Sequence, residues 1–250
     1  MNFEQKHIYF GGAAYTCSFY IGVVKALRKL YPDDIPYIHC DSAGCLVGLG
    51  YALNVPTKDI EQVYFDSLDI QKKRNYRVWC GKISQEFDLI IDTFFRKGNF
   101  ELIRRNERFS VGVTSFFNRH TRYSNWESPS EVRRFIHKSM IIPTLTKNDF
   151  ALEVDGAFTN HTCYDLCIGT SPKYDICKHF SWMDKLSVPT VENVKKYIQM
   201  GNDITMKHTF FEHSPQNCYN DNIIVETIAL MFLWVLKFIS YGVYALGILD

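Results

Sequence analysis

The chain has 250 residues, 46% of them hydrophobic, and no low-complexity linker, which suits one compact domain with an appendage. Lys and Arg number 28 against 27 Asp and Glu, so the summed basic field needed for non-specific nucleic-acid binding is missing and a nucleic-acid partner is disfavoured. The opening MNFEQKHIYF contains Glu4 and lacks the long apolar stretch of a secretory signal; the chain is therefore expected to be intracellular, not secreted, with its eight cysteines mostly free thiols.

In chain order, HIYFG at 7–11 is a short apolar run ending in Gly11-Gly12. A helical pattern through Ile21, Val24, Leu27 and Leu30 follows it, giving strand, glycine turn and helix. Pro32 and Pro36 end that helix, and YIHC at 37–40 is a second strand that leads through Asp41-Ser42-Ala43-Gly44 into the apolar helix CLVGLGYAL. Repetition of strand, turn and helix favours a parallel sheet with right-handed crossovers. From 55 to 110 the spacing of Ile60, Val63 and Tyr64, and of Phe87, Ile90, Ile91, Phe94 and Phe95, predicts helices that cover the sheet.

SVGVTSFF at 110–117 and the stretch around RYSNW alternate like strands, and SPSEVRRFIHKS opens with a capping serine before a helix that stops at Pro143. FALEVDG at 150–156 is a strand-to-loop step, and a helix over 190–210 begins at Thr190-Val191-Glu192 after Pro189. No solenoid or propeller repeat is visible. His161, Cys163, Cys167, Cys177 and His179 offer donors of the zinc type, but their spacings are not those of paired CxxC knuckles, and no metal is expected.

Residues 221–250 differ in kind. As a helix, IALMFLWVLKFISYGVYALGI at 228–248 would span about 31 Å, close to a bilayer's hydrocarbon thickness, with Glu226, Lys237 and Ser240 near one face. Residues 223–249 are therefore expected to associate with a membrane surface or bilayer.

Three stretches suggest chemistry. Strand-Gly11-Gly12-Ala13-Ala14-helix presents free backbone amides, the donors an oxyanion needs. Cys40-Asp41-Ser42-Ala43-Gly44 is close to the G-x-S-x-G elbow, which makes Ser42 a candidate nucleophile; Asp41 adds a negative charge beside it that must be paired or turned away. Val154-Asp155-Gly156-Ala157 puts a carboxylate at the end of an apolar strand, and all three stretches are expected at carboxyl ends of parallel strands.

Successive blocks, IYFGGAAYTCSFYIGVVKAL, CDSAGCLVG, SMIIPTL and VDGAFTN, resemble the patatin-like phospholipase domain, with GNDITMKHTFF more loosely similar to its closing helix. The resemblance implies a three-layer α/β/α fold with a mostly parallel sheet over residues 1–215. It implies a lipid acyl-ester hydrolase in which Ser42 and Asp155 form a dyad without histidine or cofactor. The amides of Gly11 to Ala14 would form the oxyanion hole, and Gly156-Ala157 would complete the proton-acceptor motif. Ala14, Cys17 and Cys40 stand where that family has glycine, and any of them needing a positive φ would carry strain of about 1 kcal/mol. Two other readings stay open: a catalytically silent lipid-binding or membrane protein of the same fold, and an esterase of the hormone-sensitive-lipase type with His208 or His213 as base.

Overall fold

The computed structural model describes residues 3–73, 84–115, 120–141, 153–156, 164–170 and 174–208. Strand β1 (His7–Phe10) enters the Gly11-Gly12 turn, a 3-10 turn over Ala14–Cys17, and helix α1 (Ser18–Leu30). Strand β2 (Tyr37–Cys40) turns directly into α2 (Gly44–Ala52). Helices α3 (Thr57–Lys73) and α4 (Ser84–Lys97) follow as the amphipathic spacing predicts. Next come β3 (Phe109–Ser115), β4 (His120–Tyr123) and α5 (Pro129–Ser139). The chain continues through β5 (Glu153–Asp155), β6 (Leu166–Gly169), β7 (Ile176–Cys177), α6 (Trp182–Leu186) and α7 (Val191–Lys207).

Local signals set several of these boundaries. The Ser128 side chain accepts from the Glu131 amide ahead of Pro129, and Thr190 accepts from the Asn193 amide, each capping donors that a first helical turn leaves unpaired. Helix α5 ends at Ser139, ahead of the expected stop at Pro143.

The sheet order is β4-β3-β2-β1-β6-β7, with β5 also paired to β3. Pairings β3–β2, β2–β1, β1–β6 and β6–β7 are parallel, so the α/β class with a mostly parallel sheet holds, and it fits three layers. Register puts Ile8, Phe10, Ile38, Cys40, Phe109 and Val111 on one fully buried face. Tyr20 of α1 meets Phe10 edge-on at 5.6 Å on that face, and Phe135 of α5 reaches it through Trp126 and Phe109. The opposite face presents His7, Tyr9, His39, Ser110, Gly112 and Arg122.

Helix α7 lies backbone to backbone on α1. A Cβ at Gly22 would overlap the Ile198 carbonyl, and one at Gly201 the Phe19 carbonyl, so the contact needs both glycines. No described helix is long and apolar enough to cross a membrane; the segment 228–248 lies outside the described residues.

One expectation about direction is corrected. Strand β5 is antiparallel to β3, pairing Val113 with Asp155 and Ser115 with Glu153, so the Asp155 step does not close a parallel strand. Val113 and Thr114 pair with β4 as well as β5, and Val111 pairs with β4 as well as β2. A strand has two edges, so β2 and β5 share one edge of β3 and meet head-on at Gly112. A three-residue strand carries no periodicity from which its direction can be read.

Candidate active site

The turn after β1 is pinned by its carbonyls. Tyr20 donates its hydroxyl to the Gly11 carbonyl at 3.0 Å, Thr170 to that of Gly12 at 3.3 Å, and Thr16 to that of Ala13 at 2.6 Å. In a trans peptide the carbonyl and the following amide point opposite ways, so the amides of Gly12, Ala13 and Ala14 face away from these hydroxyls. They also precede the first donor of the 3-10 turn, the Thr16 amide that donates to the Ala13 carbonyl at 3.1 Å, and backbone donors at that end have no intrahelical partner. The Gly11 amide is different: it donates to the Ile168 carbonyl at 2.9 Å, which removes it from the expected oxyanion donors.

The elbow lies directly against this turn. The Asp41 amide donates to the Phe10 carbonyl at 3.0 Å, and a Cβ at Gly44 would sit 2.5 Å from Phe10 O and 2.6 Å from Gly11 O. Only glycine fits there, as the close approach of strand and helix requires. Ser42 has φ 54° and is 6% exposed, and its amide donates to Ser139 Oγ at 2.9 Å. Left-handed backbone costs about 1–2 kcal/mol for a residue with a Cβ, so neighbours must hold it. Ser139 on α5 and the Cys45 amide, which donates to the Ser42 carbonyl at 2.9 Å, do so.

Of the three departures from glycine, one is strained. Ala14 has φ 49°. Cys17 is ordinary right-handed backbone at φ −61°, and burial pushes its thiol up to about 11. Cys40 is a buried strand residue, accommodated because residue 48 on α2 is glycine: a Cβ there would overlap the Cys40 sulfur. Ala43 carries φ −61° and immediately precedes α2.

Asp41 is fully buried and paired. Tyr9 donates its hydroxyl to Asp41 Oδ2 at 2.6 Å, and Arg122 donates to Oδ1 at 3.1 Å. Burial opposes the Arg122 charge, but Asp41, with Tyr164 and Tyr9, outweighs it and holds the guanidinium above its ordinary pKa. The same guanidinium lies 5.5 Å from the Tyr9 ring and 5.3 Å from the Tyr164 ring.

The Asp155–Gly156 step reaches the elbow through its backbone. A Cβ at Gly156 would overlap the Gly112 carbonyl and lie 3.1 Å from Asp41 Oδ1, so this step packs on the carboxylate that precedes Ser42. Ala157 lies outside the described residues, as do His161, Cys163 and His213.

Among the described residues no group of three His, Cys, Asp or Glu is gathered for a metal, and Cys17, Cys40, Cys45, Cys167 and Cys177 are free thiols. His208 terminates α7, the helix packed on α1. The sequence reading missed Tyr9, Arg122, Ser139 and the three turn hydroxyls. Only Asp41 hinted at them, because a charge in an apolar elbow demands a cation somewhere in the fold.

No family model matches the chain, and no curated protein does. Among solved structures it is similar to VipD from Legionella pneumophila, with a TM-score of 0.50 and 12% identity. The match covers 81% of this chain and 66% of that one, just under two thirds of VipD's length. At that identity the likeness is one of fold.

Proposed function

We propose that this chain is a lipid acyl-ester hydrolase of the patatin-like kind, with Ser42 as nucleophile and Asp155 as base. The observation that carries the reading is the φ of 54° at Ser42, in a strand-to-helix turn packed through Gly44 against the Gly11-Gly12 turn. A left-handed serine between a strand and a helix is the geometry that exposes the hydroxyl of a nucleophile elbow. The likeness in fold to VipD supports the fold side of the reading.

In the proposed mechanism Asp155 accepts the Ser42 proton and the oxygen attacks an ester carbonyl. The amides of Gly12, Ala13 and Ala14 stabilise the oxyanion; its collapse breaks the ester bond, and the alcohol leaves with the proton held by Asp155. Water, giving up a proton to Asp155, then attacks the acyl-enzyme, and the fatty acid leaves as Ser42 regains its proton. The substrate class is a lipid or phospholipid acyl ester. The apolar segment 223–249 would bring the site to an intracellular membrane surface.

The test is acyl-ester hydrolysis on phospholipid vesicles by the purified chain, Ser42→Ala and Asp155→Asn. Turnover in the wild type that disappears in both folded variants is expected. Turnover that survives Ser42→Ala would falsify the assignment. Vesicle binding without turnover in any form would make the chain a catalytically silent lipid-binding protein.

A further inference from the structure

An aspartate immediately before a serine nucleophile is electrostatically adverse, because deprotonation of Ser42 and formation of an oxyanion both add negative charge beside a carboxylate. Three strands converge to deal with that carboxylate. Tyr9 on β1 donates to one oxygen at 2.6 Å, and Arg122 on β4 donates to the other at 3.1 Å. Gly112 on β3 makes the room, since any Cβ there would overlap Asp41 Oδ1. The side chain of Arg122 is 17% exposed and that of Asp41 is fully buried, so solvent screens the pair little.

We propose that Arg122 is a positioning residue for acyl transfer: with Tyr9 it holds the Asp41 carboxylate over Gly112 and cancels its charge, so that negative charge develops at Ser42 beside a neutral pair. This rests on the reading of Ser42 as the nucleophile. The placement is economical, because Asp41 Oδ1 lies 3.1 Å from where a Gly156 Cβ would be, in contact with the step that bears Asp155. One compensated carboxylate therefore borders both halves of the proposed dyad. Arg122 also donates weakly to the Cys40 carbonyl at 3.4 Å, on the strand residue that leads into the elbow.

The experiment follows covalent labelling of the full chain by a fluorophosphonate, in which Ser42 Oγ bonds to phosphorus, fluoride leaves and the serine proton passes to the base. Ester turnover is measured alongside, with kcat and KM resolved. Arg122→Gln is expected to slow labelling and kcat on the order of 100-fold with little change in KM, since charge compensation acts on the developing anion. Adding Asp41→Asn to that variant is expected to recover about 10-fold or more, because the uncompensated charge is then gone.

Arg122→Lys keeps the charge and loses the planar fork; it should stay within about 10-fold of wild-type kcat, and it carries the test if Arg122→Gln does not fold. Labelling that requires Ser42 but shows no recovery in the double variant overturns this proposal alone. So does a folded Arg122→Lys as inert as Ser42→Ala. A wild type that is not labelled removes the nucleophile reading and this proposal with it.

Discussion

Two residues with side chains, Ala14 at φ 49° and Ser42 at φ 54°, hold left-handed backbone at facing turns, and they differ in what glycine would do there. At Ser42, glycine releases about 1–2 kcal/mol of strain against about 0.4–1 kcal/mol of added unfolded-chain entropy. The Ser42→Gly protein should therefore be more stable by about 0.5–1 kcal/mol while losing ester turnover, with urea unfolding as the measure of the first effect. Ala14→Gly should gain a similar amount, and it retains the backbone amide. A drop in stability for both variants would mean that side-chain packing, not strain, dominates these positions. The nucleophile and the glycine turn were legible in the sequence because each is a contiguous motif with steric demands. Tyr20, Thr170 and Ser139 were not, since their partners lie 9, 158 and 97 residues away and only the fold brings them together.

At the scale of elements, the elbow depends on how closely α2 lies on β2. The Cys40 side chain enters the space that Gly48 leaves open, and a Cβ at 48 would overlap its sulfur. Gly48→Ala should cost about 1–3 kcal/mol by overpacking, against a helix-propensity gain of up to about 1 kcal/mol. In a Cys40→Ala background most of that cost should vanish, so a double-mutant cycle by thermal or urea unfolding is expected to show strong coupling. Additive effects would mean that strand and helix move apart instead of clashing. Periodicity predicted β1, α1, β2, α2 and α7, each long or sharply bounded by Gly, Pro or a capping residue. It failed for β6, β7 and α6, which span four, two and five residues and are fixed by pairing or by a local cap. It also missed the direction of β5, which shows only in its antiparallel pairing with β3.

Across the whole molecule, the two sheet faces differ in their response to acid. One is sealed by apolar side chains, whereas the other carries a chain of polar contacts from His7 Nδ1 to His39 Nε2 at 2.8 Å and from His39 Nδ1 to Ser110 Oγ at 2.6 Å. Burial, then the nearby Arg122 and His7, push the His39 pKa down to about 3, so His39 stays neutral in the fold where an unfolded histidine takes up a proton near pH 6.5. Above about pH 6.5 both states are neutral there, and His39 adds no pH dependence. As pH falls from about 6.5 towards 3 the unfolded chain binds one more proton, and stability should fall by up to about 1.4 kcal/mol per pH unit. Urea unfolding of wild type and His39→Gln between pH 7 and 4.5 isolates this effect, because carboxylates titrate mostly below that window. The variant should show a flatter stability profile and approach or exceed wild-type stability at the acid end. Equal slopes in the two proteins would assign the acid response to other groups and leave the His7–His39–Ser110 chain a packing feature of the sheet.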